Sequence, residues 1–306
     1  MHVVSAEQFS RAEIEEIFKR ADYFKRQTSP AARRKLADLY KGRQICTVFF
    51  QPSTRTRLSF ETAATKLGIG VISTENALEN SSSAKGETLE DMIKVLNGYS
   101  FDAIVMRHFE TGAAARAAAV SQTPIINAGD GKGEHPTQSL MDAYTIYEEF
   151  GRLDNLKVVM GGDLLQSRTV HSLCLLLAKY KNNHITFVST PKLNIPADVK
   201  KELQAAGTKF SELTDVKSAF KNADLVYWTR LQMEYLPKSS RLKNPFKLDL
   251  KIIQKLPGKA IILHALPRVD EIDAAVDSDP RARYFQQASN GMYIRMALLE
   301  KILGKA

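Results

Sequence analysis

The chain has 306 residues, with 43 Lys and Arg against 34 Asp and Glu, a formal charge of +9, and 44% hydrophobic residues. That length accommodates two domains with full cores, and the composition excludes a disordered, collagen-like or low-complexity chain. Only Cys46 and Cys174 are present, which excludes a disulfide-stapled fold; both lie in apolar runs (QICTVFF and SLCLLLA) and read as buried small hydrophobes without metal-ligand spacing.

No apolar stretch approaches the roughly 20 residues of a membrane span, and the start MHVVSAEQFSRAEIEE has no basic-then-apolar leader, so a soluble cytoplasmic protein is expected. The positive surplus fits either a nucleic-acid surface or a cleft that gathers small anions. The placement of the basic residues distinguishes the two.

In chain order, residues 6–27 place Phe9, Ile14, Ile17, Phe18, Ala21 and Phe24 near helical spacing and predict one amphipathic helix. Four β-rich runs follow: 44–50, 70–74, 102–106 and 123–128. Between them lie helical stretches at 56–67, 88–99 and 113–120. A second series has strands at 156–162, 184–190, 224–229 and 259–265, with helices at 168–180 and 197–206. Nearly continuous apolar strands alternating with helices imply parallel sheets covered on both faces.

The expected fold is therefore α/β, with two doubly wound parallel-sheet domains. The seam falls near 135–150, where HPTQSLMDAYTIYEEFG reads as one helix passing from the first domain to the second. A last helix occupies about 290–303.

Open α/β sheets bind ligands beyond the carboxyl ends of their strands. Ser53, Thr54, Arg55, Thr56 and Arg57 stand where the first strand gives way to a helix, so hydroxyl caps, helix N–H groups and guanidinium can together cradle a phosphate; a plain helix cap with a surface arginine is the alternative. Arg107 closes the third strand. His135 precedes Pro136, which suits a first helical position, and shares that helix end with Gln138, where the two can hydrogen-bond a planar carbonyl or amide.

Arg168 and Arg230 follow strands of the second series and suit a dicarboxylate. In His264-Ala265-Leu266-Pro267-Arg268, the proline is expected to hold Leu266 extended and so present backbone carbonyls. GGDLLQ lacks the third glycine of a dinucleotide fingerprint. The sequence contains no phosphate-binding G-x-x-x-x-G-K-[ST], no G-x-S-x-G elbow and no Cys/His cluster with zinc spacing.

The segment Ser53-Thr54-Arg55-Thr56-Arg57 followed by LSFE, then His135-Pro136-Thr137-Gln138, then His264-Ala265-Leu266-Pro267-Arg268, resembles the aspartate and ornithine carbamoyltransferases over essentially the whole chain. KGETLEDMIK, DAIVMRH, INAGDG and RVDEI are similar to the catalytic chain of the aspartate branch. An ornithine enzyme would carry Cys where Ala265 stands and would lack the Arg168/Arg230 pair.

The resemblance implies transfer of the carbamoyl group of carbamoyl phosphate to L-aspartate, giving N-carbamoyl-L-aspartate and phosphate in de novo pyrimidine synthesis, toward UMP. It implies that Ser53, Thr54, Arg55, Thr56 and Arg107 bind the phosphate. Thr56, Arg107 and His135 would polarise the carbonyl, while Gln138 and the carbonyls of Leu266 and Pro267 hold the NH2. Arg168, Arg230 and Gln232 would hold aspartate.

Ser81 and Lys85 would reach the site of the neighbouring subunit, which implies a homotrimer with its active sites in the interdomain cleft and at the subunit interface. The implied domains are 1–134 with the C-terminal helix 288–306 for carbamoyl phosphate, and 135–287 for aspartate. No cofactor or metal is implied, and neither nucleic acid nor membrane is a partner. Regulatory chains, in an assembly of two trimers with three regulatory dimers, or a dihydroorotase are the macromolecular partners left open.

Three positions depart from the family pattern: Gln51 stands where many members have Glu, Tyr235 where the allosteric type has Arg, and Ala84 where some have Lys. The first two belong to a salt-bridge set that fastens the domains shut in that type, so a different closure contact and weaker cooperativity are expected. Another amino acceptor, or a catalytically silent scaffold, are the rival readings; the retained Arg55, Arg107, His135, Gln138, Lys85 and Arg168 speak against the scaffold. The basic cluster at 31–43 is short and reads as a solvated helix face.

Overall fold

The computed structural model describes residues 1–80, 85–232 and 247–304; Ser81, Ala84 and Tyr235 lie outside them. Contacts divide the chain into two compact units, Met1–Leu140 with Ser289–Ala306, and Met141–Ala288. Each unit is an α/β layer structure built on one parallel sheet.

In the first unit β1 (Gln44–Phe49), β2 (Gly70–Glu75), β3 (Ala103–His108) and β4 (Ile125–Asp130) lie in the order β2-β1-β3-β4. The apolar runs that predicted β1, β3 and β4 are buried on both faces: Ile45, Phe49, Ile104, Val105, Ile125 and Ile126 are fully covered. Helices α3 (Thr54–Lys66), α4 (Ala77–Asn80), α5 (Leu89–Asn97) and α6 (Ala113–Val120) supply the connections.

The expected helix over 6–27 is broken. A 3-10 turn at Ala6–Gln8 and α1 (Arg11–Arg26) are separate, because Ser5 and Ser10 each form a capping box and so start a new element. Val3 instead runs beside β4, donating its N–H to Ile125 O at 2.7 Å and accepting from Asn127 N–H at 2.8 Å, which covers that sheet edge. A short α2 (Pro30–Ala37) carries part of the basic cluster on an exposed face.

α12 (Tyr284–Leu303) begins six residues ahead of the expected start. Its end docks on α1, where Arg20 Nε and Nη2 donate to the two oxygens of Glu300 at 2.5 and 2.6 Å.

In the second unit β5 (Lys157–Gly161), β6 (His184–Val188), β7 (Lys209–Leu213), β8 (Leu225–Trp228) and β9 (Ile261–His264) lie in the order β7-β6-β5-β8-β9. Strand β7 is a fifth strand that the apolar pattern did not reveal. As the edge strand, KFSEL is exposed or half-buried throughout and needs no continuous apolar run. The opposite edge is covered, since Ile262 pairs with Ala282 through N–H donation to Arg281 O at 2.7 Å.

The linking helices are α8 (Arg168–Ala178), α9 (Ala197–Ala205), α10 (Val216–Phe220) and α11 (Leu250–Ile253). The core centres on fully buried Trp228, packed edge-on to Phe220 with ring centroids 5.9 Å apart. Helix α7 (Pro136–Phe150) starts in the first unit and ends in the second, as the sequence suggested. Cys46 and Cys174 are buried free thiols; burial pushes the Cys46 thiol up to about 11 and raises that of Cys174 further.

Candidate active site

The first strand of each unit has neighbours that depart in opposite directions, β2 and β3 around β1, β6 and β8 around β5. At such a reversal the loops on the two sides diverge and leave a crevice beyond the strand ends, open to a ligand. Ser53–Thr56 follow β1 and Arg107 lies near the end of β3 at the first reversal, and Arg168 and Arg230 follow β5 and β8 at the second, while His135 and Gln138 follow β4 and Leu266 and Pro267 follow β9.

In the first unit, α3 follows β1 directly. Its first-turn bond runs from Arg57 N–H to Ser53 O at 3.0 Å, which leaves the N–H groups ahead of Arg57 without a helical partner beyond the carboxyl end of β1. Thr54 and Arg55 are exposed there and Thr56 is buried. Contrary to expectation, the Ser53 hydroxyl makes no capping bond. Its backbone (φ −158°, ψ 80°) departs from the usual cap geometry and leaves the hydroxyl off the helix N–H groups.

Arg107 pairs in register with Phe49, and its carbonyl accepts Phe50 N–H at 2.8 Å, which sets it beside the start of that loop. Its Nη1 donates to Ala128 O at 3.2 Å, fixing the side chain toward the loop after β4. That loop is held by residues the sequence reading did not single out. Asp130 accepts Glu134 N–H at 2.8 Å and Gly112 N–H at 3.0 Å, and Asn127 accepts Gly129 N–H at 2.8 Å. Gly131 is required here: its φ is +46°, and a Cβ would meet Thr111 N at 2.5 Å.

The loop delivers His135 and Gln138 to the start of α7, where Pro136 is the first helical residue as expected. His135 acts as the N-cap through its carbonyl, which accepts Gln138 N–H at 2.9 Å; both side chains are buried. Arg57 goes elsewhere. It bonds Glu75 at 2.8 Å and Ser73 at 3.2 Å, pinning α3 to β2. Lys85 is exposed, and Ser81 lies outside the described residues.

In the second unit the organiser is Asp163, fully buried just after β5. Its two oxygens accept Gln166 N–H and Gln232 N–H, each at 3.0 Å, and so tie the loop that leads to Arg168 to the loop that carries Arg230 and Gln232. Burial raises its pKa, while those N–H groups pull the other way. The same two loops touch again where the Ser167 and Thr229 hydroxyls meet at 3.2 Å. Arg230 Nη1 donates to Leu231 O at 3.0 Å.

Room for the indole is built in, since Gly161 pairs with Trp228 and a Cβ would fall 2.2 Å from the ring. In the sequence Asp163 stands only as the third residue of GGDLLQ, a run whose pattern does not mark it as an organiser. Leu266 and Pro267 follow β9. Leu266 is not extended as expected: its φ is +53°, because its N–H is drawn back onto His264 Nδ1 at 2.8 Å, closing a tight turn. Arg268 is taken up by Asp277 at 2.6 Å and by Tyr284 at 3.1 Å.

Among the described residues there is no His/Cys/Asp/Glu cluster able to hold a metal, and no helix long and apolar enough to cross a membrane.

Two doubly wound units, each presenting arginines at the reversal point of a parallel sheet, define an α/β protein that handles small anions. The chain belongs to the aspartate/ornithine carbamoyltransferase family: residues 1–148 match its carbamoyl-P binding domain and residues 154–302 its Asp/Orn binding domain.

Among relatives, the chloroplastic aspartate carbamoyltransferase of Oryza sativa subsp. japonica is 47% identical over 98% of this chain and 84% of its own length. The catalytic subunit of Vibrio cholerae serotype O1 is 43% identical over 100% and 97%. Among solved structures, the catalytic subunit of M. jannaschii aspartate transcarbamoylase superposes with a TM-score of 0.88 at 43% identity, covering 98% of this chain and 97% of that one. Aspartate transcarbamoylase from Trypanosoma cruzi, in complex with carbamoyl phosphate and aspartate, gives a TM-score of 0.90 at 38% identity, covering 97% and 95%.

Proposed function

We propose that this chain carries out the aspartate carbamoyltransferase reaction at the residues gathered on the two reversal points. It transfers the carbamoyl group of carbamoyl phosphate to the amino group of L-aspartate, a step of pyrimidine biosynthesis. The observation that carries the reading is the Phe49–Arg107 register, which sets Arg107 beside the loop into the Ser53–Thr56 helix start, with its Nη1 turned to Ala128 O on the strand that leads to His135 and Gln138. A helix N-terminus and two arginines match a phosphate dianion.

In this reading Ser53, Thr54, Arg55, Thr56 and Arg107 bind the phosphate. Thr56, Arg107 and His135 polarise the carbonyl oxygen, and Gln138 with the carbonyls of Leu266 and Pro267 receives the NH2. Arg168, Arg230 and Gln232, tied together through Asp163, hold the two carboxylates of aspartate.

The aspartate amine attacks the carbamoyl carbon, negative charge grows on the carbonyl oxygen and on the departing phosphate, and donors already aimed at both lower the barrier. The C–N bond forms as the C–O bond to phosphate breaks, and the phosphate dianion takes the amine proton. The chemistry calls for no cofactor.

Both ligands enter one step, so the reaction draws on residues 1–134 with 288–306 for carbamoyl phosphate and on residues 135–287 for aspartate. Ser81 and Lys85 of a neighbouring subunit complete the site in a cytoplasmic homotrimer. The plant relatives are named chloroplastic, which ties the compartment to the host cell. A regulatory chain or a dihydroorotase would bind outside this catalytic unit.

The test is product formation by the purified chain from carbamoyl phosphate with aspartate, ornithine or an acylated ornithine. Carbamoyl-L-aspartate should be the product; turnover of ornithine in its place overturns the reading.

A further inference from the structure

The turn after β9 is held by two buried side chains to which the proposed reaction gives no role. His264 and Glu271 have side chains only 2% and 0% exposed, with Nε2 of the first 2.8 Å from Oε1 of the second. The contact lies off the axis of a linear hydrogen bond, so its attraction is between charge and dipole. On the other side of the ring, Nδ1 accepts the N–H of Leu266 at 2.8 Å.

A neutral imidazole has one N–H and one lone pair, so acceptance at Nδ1 puts the proton on Nε2, facing the carboxylate. The opposite tautomer would set a lone pair against Glu271 and an N–H against the Leu266 N–H, two repulsions at once. Glu271 is itself fixed, because its Oε2 accepts the N–H groups of Val269 and Asp270, each at 3.1 Å. Burial opposes its ionisation, yet the contacts with His264 and the N–H groups outweigh burial and leave the carboxyl below its ordinary range. Leu266 occupies the left-handed region at φ +53°, which a leucine keeps only where neighbours hold it.

We propose that His264 and Glu271 are positioning residues: Glu271 selects the imidazole tautomer, His264 thereby holds the Leu266 N–H, and the turn so fixed aims the carbonyls of Leu266 and Pro267. The inference rests on the reading that those carbonyls receive the carbamoyl NH2.

Glu271→Gln keeps the shape of the pair, but its amide NH2 can donate to Nε2, move the ring proton to Nδ1 and release Leu266. Asparagine at 264 escapes this dependence, since its Oδ1 accepts the N–H two residues on whatever faces its other end. His264→Asn combined with Glu271→Gln should therefore recover what Glu271→Gln alone loses.

The experiment measures binding of carbamoyl phosphate, acetyl phosphate and inorganic phosphate to the full chain, with 15N NMR of the His264 ring. Acetyl phosphate carries a methyl group in place of the NH2. The wild type should prefer carbamoyl phosphate and show its proton on Nε2. Glu271→Gln should lose about tenfold in carbamoyl phosphate affinity with the other two ligands unchanged, and the double variant should regain most of it.

A Glu271→Gln chain that keeps the preference, or a double variant no better than the single one, overturns the positioning role. A wild type that binds acetyl phosphate as well as carbamoyl phosphate instead removes the NH2 reading, and the proposal with it.

Discussion

Arg55 and Arg57 stand two residues apart in one motif and face different tasks. Arg55 is exposed at the helix start, whereas Arg57 is tied to Glu75 and Ser73 on β2. Arg55→Ala should cost on the order of 10²- to 10³-fold in kcat with a smaller change in aspartate KM, since it removes a donor to charge that grows during transfer. Arg57→Ala should instead cost about 1 kcal/mol of stability, read from a urea midpoint, because its partners are partly solvated. Comparable kcat losses in the two variants would sink this division.

The motif was legible as letters, but which arginine turns inward depends on carboxylates elsewhere in the chain, and a spacing argument does not hold that information. Histidines carry the pH dependence at this scale. Burial lowers the pKa of His171, whose Nε2 lies 2.7 Å from Leu164 O, and of His108, whose Nδ1 accepts Glu110 N–H at 3.0 Å. A histidine with a depressed folded pKa binds its proton first in the unfolded chain. Its contribution to stability is therefore complete above about pH 6.5 and lost as pH falls. Urea midpoints measured between pH 7 and 5 should fall less steeply in His171→Gln than in the wild type; identical slopes would remove His171 from the cause.

At the level of elements, the strands buried on both faces were legible because parallel strands between helices are predominantly apolar, as Ile45–Phe49, broken only by Thr47, and Leu225–Trp228 are. Strand Lys209–Leu213 was not legible, since an edge strand with mixed exposure has no obligatory pattern. The break between Ala6–Gln8 and α1 was written in the sequence as two capping boxes, Ser5 with Gln8 and Ser10 with Glu13, but the apolar periodicity runs straight across it.

The Trp228 ring lies against Gly161 where β5 and β8 pair, at the strand ends that precede Arg168 and Arg230. Gly161→Ala would drive a methyl into Trp228, costing about 1–3 kcal/mol and disturbing the strand ends that carry the residues proposed to hold aspartate. Aspartate KM should rise along with the loss of stability. Gly207→Ala supplies the contrast: φ is +69° there but nothing lies within 4 Å of the added Cβ. It should cost stability through backbone strain alone and leave aspartate KM unchanged.

For the whole molecule, the +9 charge gains a location. Arg55, Arg107, Arg168 and Arg230 stand at the two reversal points, beside the expected sites of two small polyanions. The division into two units was foreshadowed by the two strand series, whereas the return of residues 289–304 to the first unit was implied only by the family resemblance and not by periodicity. Contacts such as Arg20 with Glu300, residues 280 positions apart, hold that segment there, and no local pattern announces them. Gln51 is half-buried near the helix start, while its expected counterpart Tyr235 falls outside the described residues.

The assembly itself is open to a decisive test, because the proposed site takes Arg55 from one chain and Lys85 from its neighbour. A Lys85→Ala trimer and an Arg55→Ala trimer should each be nearly inactive. In a mixed trimer, an Arg55 supplied by the Lys85→Ala chain meets a Lys85 supplied by the Arg55→Ala chain at one interface of the three. Random reassortment of equal amounts therefore leaves about a quarter of all sites whole. Activity should rise toward that fraction after the two variants are dissociated, mixed and reassociated, and it should stay at the floor if Lys85 serves the site of its own chain.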